Sequence, residues 1–205
     1  MTRLLVATTN RGKQREFVEL LADWPGQIVF PQDLGIDIEV EETGQSFAEN
    51  AAQKATVYAQ AAGRPTLADD SGLEVDALDG APGIYTARYA GPGAGDEDRY
   101  NKLLAALGDM PMPQRTARFR CAVAIAYPDG RVDVAEGTCE GVIAFSPRGE
   151  NGFGYDPVFY LPERECTMAQ LPPEFKNTFS HRARALQAAR PLLDALLENE
   201  RGASA

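Results

Sequence analysis

The chain opens with an apolar run, Leu4-Leu5-Val6-Ala7, inside residues 3–8, which reads as a short buried strand. A turn over Thr9, Asn10, Arg11 and Gly12 follows. Residues 13–22 then carry Phe17, Leu20 and Leu21 at the spacing of an amphipathic helix. Strand, glycine turn and helix make an α/β opening. Residues 36–41 alternate strictly: Ile36, Ile38 and Val40 share one face and Asp37, Glu39 and Glu41 the other, the pattern of a half-buried strand. Beyond Thr43-Gly44, Ser46 and Glu49 form an S-x-x-E capping pattern, which predicts a helix from about residue 47 to Ala62, stopped by Gly63 and Pro65.

Residues 66–68 read as a short strand that ends in the turn-like Asp69-Asp70-Ser71-Gly72. A glycine loop at 91–95 precedes a helix over 96–107. Two long β runs, 116–127 and 131–145, are joined by Pro128-Asp129-Gly130 and predict a hairpin. Residues 151–157 form a second glycine loop. Ser180 stands where it would cap a last helix, which Pro191 would bend or interrupt. With no linker-like segment between halves, the pattern predicts one curved sheet and a single two-lobed α/β domain over residues 1–205.

Composition narrows the function classes. The chain carries 20 basic and 30 acidic side chains, a net charge of −10, so its mean field repels phosphate backbones and anionic lipid. No nucleic-acid or membrane partner is expected, and a small phosphate ligand would need a local cluster of donors or a bridging metal ion. No apolar run reaches the length of a membrane span and no signal peptide is evident, so cytoplasmic residence is expected. Cys121, Cys139 and Cys166 show no ligand spacing and read as ordinary thiols. Only four of the basic residues are lysines, Lys13, Lys54, Lys102 and Lys176, in a chain that otherwise uses arginine. A lysine kept in such a chain hints at a need for a compact, mobile ammonium.

Five segments hold candidate chemistry, each with a plainer alternative. Thr8, Thr9, Asn10, Arg11, Gly12 and Lys13 lie between a strand and a helix, where backbone N–H groups and the helix dipole favour an anion; an ordinary βα turn fits equally. Glu41-Glu42 and Asp69-Asp70 stand at two predicted strand ends, where converging carboxylates would offer hard oxygen ligands for Mg²⁺; a solvated turn is the alternative. Asn50 and Lys54 share a helix face and either line a cleft or sit on the surface. Phe153, held between Gly152 and Gly154 and followed by Tyr155 and Asp156, could stack on a base or face the core. Lys176, His181 and Arg182 gather cations near the start of the last helix, against the local dipole unless a ligand supplies acceptors.

Taken together, TTNRGK (8–13), EETG and FAENAAQKA (41–55), ADDSGLEVDALDGAPGIYTARYAG (68–91), GFGYDPVF (152–159) and KNTFSHRARAL (176–186) resemble the inosine triphosphatase family of non-canonical purine nucleoside triphosphate pyrophosphatases. The resemblance spans nearly the whole chain in order. It implies a long central mixed sheet with two α/β lobes flanking a substrate cleft, usually in a homodimer. It also implies hydrolysis of ITP, dITP and XTP between the α- and β-phosphates, with Mg²⁺. Carried over by motif, residues 8–13 and Lys54 hold the triphosphate, Glu41 and Asp70 serve the metal, and Asp70 accepts the proton of the attacking water. Ser71 touches substrate, and Phe153, Gly154, Tyr155, Asp156, Lys176, His181 and Arg182 form the base pocket. The division of labour between Asp69 and Asp70 stays open. A pyrophosphatase for another altered nucleotide, or a nucleotide-binding regulator without catalysis, would share much of this pattern.

Overall fold

The computed structural model describes residues 2–203. In chain order the helices and strands are β1 (Arg3–Val6), α1 (Arg11–Leu20), β2 (Gln27–Val29), α2 (Phe47–Ala62), β3 (Thr66–Val75), α3 (Asp96–Leu107), β4 (Thr116–Ala126), β5 (Val132–Ile143), β6 (Phe159–Leu161), β7 (Cys166–Thr167), α4 (Pro173–Lys176) and α5 (His181–Ala203). The strands form one seven-stranded sheet in the order β2-β1-β3-β4-β5-β6-β7. β1 runs parallel to β2 and β3, whereas β6 runs antiparallel to β5 and β7, so the sheet is mixed and the fold is α/β, as expected.

Local chemistry explains several elements. Ser46 Oγ accepts from Glu49 N at the start of α2, but the Glu49 carboxylate reaches Gln45 N, one residue before the cap, at 2.7 Å. Gly63 ends the helix in the left-handed region, φ 60°. The predicted hairpin forms: β4 and β5 are neighbours, and Tyr127 N donates to Arg131 O across the turn. α5 continues through Pro191.

Two expectations fail. Residues 36–41 form no strand; their exposure alternates as predicted, but they sit outside the sheet, and Tyr58 of α2 donates its hydroxyl to Ile38 O at 2.6 Å. Alternation reports one covered face, not a hydrogen-bonded ladder. β3 also does not stop at residue 68. It runs ten residues through Asp69-Asp70-Ser71-Gly72, a sequence that reads locally as a turn.

Contacts group the chain into two compact units. The first comprises Met1–Asp70, Cys121–Gly137 and Arg182–Ala205. Its core joins Leu4, Val6 and Leu67 of the sheet to Phe17 and Leu21 from the α1 segment and Ala185, Ala189 and Leu193 of α5. Trp24 adds a tie, its indole N–H donating to Leu193 O. The second comprises Ser71–Arg120 and Thr138–His181. Its core is built on Leu73, Val75, Leu103, Phe119, Ile143 and Phe159. There, buried Arg115 donates to the carbonyls of Gly108, Ile143 and Ala144 at 3.1, 2.8 and 3.0 Å, closing the end of α3 onto β5.

Candidate active site

In the first unit, β3 carries two aspartates into different surroundings. Successive strand residues point to opposite faces, so Asp69 and Asp70 diverge instead of crowding each other. Asp69 shares its face with Leu67 and meets α1 and α5. Its Oδ2 is 2.9 Å from Lys13 Nζ and 2.9 Å from Arg182 Nη2, with Arg182 Nε at 3.3 Å. Arg182 Nη1 pairs in turn with Glu16, one turn beyond Lys13 on α1. Cys121 Sγ lies 4.0 Å from the same Asp69 oxygen. Burial opposes a charge on Asp69, but Lys13, Arg182 and Lys54 outweigh it and hold the carboxyl well below the usual carboxylate range.

Asp70 faces α2. Asn50 Nδ2 donates to its Oδ2 at 3.0 Å, and Lys54, one turn further, donates to Asp69 O at 3.1 Å and pairs with Glu42 at 2.5 Å. Burial, and then the charge of Glu42, push the Asp70 carboxyl up from its ordinary value. The two neighbours thus differ in kind: Asp69 is a fixed anion and Asp70 a carboxylate whose affinity for protons is raised.

The turn before α1 is closed by two local side-chain bonds. Asn10 caps the helix by accepting from Lys13 N at 3.0 Å, and Thr8 Oγ1 accepts from Asn10 N. Thr8 is buried; Thr9, Asn10 and Arg11 are exposed, and Gly12 and Lys13 are half-buried. Glu41 is exposed, and it is Glu42 that turns towards Lys54.

In the second unit, the loop after β5 is organised by one carboxylate. Asp156 Oδ2 accepts from Phe153 N at 2.9 Å and from Lys176 Nζ at 2.5 Å, with both charged side chains buried. The Lys176 ammonium also lies 4.9 Å from the Phe153 ring centroid, a cation–π distance. Gly154 N donates to Asp96 Oδ2 at the start of α3. Phe153 is the half-exposed aromatic of the loop. Tyr155 is 2% exposed, belongs to the core and donates to Thr86 O at 3.0 Å, so its ring is not displayed for stacking. His181 stacks on Phe119, with centroids 4.8 Å apart and planes at 17°. Ser71, the first residue of this unit, is half-buried.

The structure therefore gathers Lys13, Lys54, Asp70 and Arg182 in the first unit, and Phe153, Asp156 and Lys176 in the second. Arg182 is grouped with Asp69 and Glu16 instead of with the loop residues. One participant, Glu16, escaped the reading of the sequence, and Glu42 was read only as half of a pair. Glu16 is hidden because its partner lies 166 residues away, although its place one turn from Lys13 was a usable signal. Glu42 is one of a tandem pair in which only the geometry picks the inward member.

A buried carboxylate, two lysines and a second aspartate of raised proton affinity suit the chemistry of a phosphate-handling hydrolase. Residues 4–192 match the Ham1 family, and the chain belongs to it. It is 51% identical over 194 residues to the dITP/XTP pyrophosphatase of Desulforamulus reducens, covering 95% of this chain and 96% of that one. To the enzyme of the same name from Geobacillus kaustophilus it is 53% identical, covering 91% of each. Among solved structures, the HAM1 protein of Coxiella burnetii superimposes with a TM-score of 0.85 at 41% identity, covering 97% of this chain and all of that one. The dITP/XTP pyrophosphatase of Mycobacterium abscessus gives 0.75 at 42% identity, covering 94% and 100%. The family resemblance read from the motifs is borne out.

Proposed function

We propose that this chain hydrolyses the non-canonical purine nucleoside triphosphates dITP, XTP and ITP to the monophosphate and pyrophosphate, with Mg²⁺ as its metal. The observation that carries the reading is the contrast between Asp69 and Asp70 beside Lys13 and Lys54; the names of the relatives point the same way.

Charge supports the need for a cation. Lys13, Lys54 and Arg182 stand among Glu16, Glu42, Asp69 and Asp70, three positive groups against four carboxylates. A triphosphate adds further negative charge and would be repelled without an accompanying ion. Among the described residues no group of three His, Cys, Asp or Glu side chains forms a complete metal cage. Mg²⁺ takes one or two carboxylates and fills its shell with water and substrate phosphates. Asp70 would hold it with Glu41, which is exposed, while Glu42 is neutralised by Lys54. When bound, the ion supplies charge neutralisation on the phosphates.

The residues supply the rest. Asp70 takes the proton of a water that attacks the α-phosphorus, and the α–β bridging oxygen leaves with pyrophosphate. Lys13 and Lys54 stabilise the charge that develops there. Residues 8–12 cradle the phosphates at the helix start. Asp69 stays ionised and keeps Lys13 and Arg182 in register, which gives Arg182 an organising role in this reading. In the other unit, Phe153 stacks on the base over the Asp156–Lys176 pair, with His181, Ser71 and the Gly154–Tyr155 backbone completing the pocket. A C6 carbonyl would satisfy a donor there where the amino group of adenine would leave it unpaired. Such a mismatch discriminates by roughly 10⁴–10⁵. The homodimer, the single two-lobed domain with its cleft, and cytoplasmic residence belong to the same proposal. No described helix is long and apolar enough to cross a membrane.

A panel of ITP, dITP, XTP, ATP and GTP with Mg²⁺ and identified phosphate products tests the reading. Monophosphate plus pyrophosphate from the first three is expected. Release of orthophosphate would overturn cleavage at the α–β bond.

A further inference from the structure

Residues 36–45 lack sheet partners, yet side chains of α2 bind them at successive points. Tyr58 donates to Ile38 O, Lys54 pairs with Glu42, Gln53 Oε1 accepts from Thr43 N at 3.4 Å, and Glu49 accepts from Gln45 N. Asn50 stands in the middle of this row and differs from the others. It is fully buried, and its amide makes two bonds in different directions. Oδ1 accepts from Gly44 N at 2.8 Å, and Nδ2 donates to Asp70 Oδ2 at 3.0 Å. A backbone N–H can only donate, so the Gly44 contact fixes which end of the amide is oxygen, and the nitrogen must face Asp70.

The fit on the Gly44 side is tight. A Cβ at residue 44 would lie 2.7 Å from Asn50 Oδ1 and 2.7 Å from Glu49 Cβ. No side chain enters there without moving the amide.

We propose that Asn50 is a positioning residue for the reaction, locking the Asp70 carboxylate to the loop that carries Glu41 and Glu42. Mere filling of the core would ask only for volume, and a leucine would provide it. The observed amide instead ties two acidic segments from non-adjacent parts of the chain into one fixed geometry. Misplacing a reacting group by about 1 Å costs on the order of 10²-fold in rate.

The inference rests on the pyrophosphatase reading, and the wild-type assay separates the two: an inactive wild type sinks that reading, whereas an active one leaves Asn50 open to test. Asn50→Leu keeps the volume and removes both bonds. The expected result is a kcat lower by about a hundredfold, with the KM for XTP within about threefold, because the lysines that hold phosphate are untouched. An Asn50→Leu enzyme with wild-type kcat overturns the proposal, as does a parallel loss in kcat and KM tracking a fallen melting temperature. Should that variant fail to fold, Gly44→Ala presses on the same amide from the loop side. A selective kcat loss there supports the proposal, and unchanged kcat overturns it.

Discussion

Among the described residues, a buried acid–base grouping in each compact unit can be compared, and the two are built on different plans. In the second unit Asp156 meets the Lys176 ammonium and the backbone of Phe153. In the first, Asp69 binds Lys13 and Arg182, Arg182 binds Glu16, and Lys54 binds Glu42, so charges are shared along a chain. A carboxylate–ammonium pair tied to one loop backbone fixes shape and suits recognition of a neutral ring. An extended network with an excess of carboxylate can take in a cation and phosphates, because its charges can be redistributed among several partners. The difference teaches that burial of charge does not separate the two groupings; the balance of the charges does.

The comparison breaks most sharply at Asp70. Asp70→Asn should lower turnover of XTP by about 10³-fold, the contribution of a general base, when pyrophosphate release is followed. The loop pair should tolerate the same kind of change with far less loss of kcat. Next comes stability. Asp69→Asn removes one partner of a fully buried ion pair and should cost about 3–5 kcal/mol in urea unfolding. Asp70→Asn should cost little or even stabilise, since burial already disfavours the Asp70 charge. Similar losses from both substitutions would erase the distinction between the two aspartates.

Phe153→Ala probes the second plan. Loss of a stacked base is worth roughly 1–3 kcal/mol and should raise KM for XTP about ten- to a hundredfold while sparing kcat. A Tyr155→Phe change should leave KM near wild type, because that ring packs in the core. The smallest effect is at Cys121. Burial pushes its thiol up to about 12, with the Asp69 charge adding to the rise. It should resist a maleimide in the folded protein at neutral pH and react only after denaturation, as mass spectrometry would read.

Much of this was legible in the sequence where the signals are local. α2 is announced by Ser46, Glu49 and Gly63, which act within one turn of the helix ends, and its predicted span matches the structure. The β4–β5 hairpin follows from its long apolar runs around Pro128-Asp129-Gly130. What escaped depended on distant partners. Asp69-Asp70-Ser71-Gly72 reads as a turn because unpaired carboxylates do not stay in a central strand. The partner that makes the strand tolerable, Arg182, lies 113 residues away. Residues 36–41 show the converse error: the alternation was real, but its cause was α2 side chains and not a neighbouring strand. Arg182 was singled out, yet its chain neighbours His181 and Lys176 gave no hint that it would join Glu16.

Gly152 carries a consequence for mutational tolerance. Its φ of 77° is left-handed, and a Cβ there would come within 2.0 Å of Asp156 Oδ2, the oxygen that holds both Phe153 N and Lys176. Gly154, two residues on, has a similar φ of 64° but nothing within 4 Å of a Cβ. In a library that samples every amino acid at these two positions, Gly152 should admit no replacement. Gly154 should still accept asparagine or aspartate, the side chains that best endure left-handed backbone.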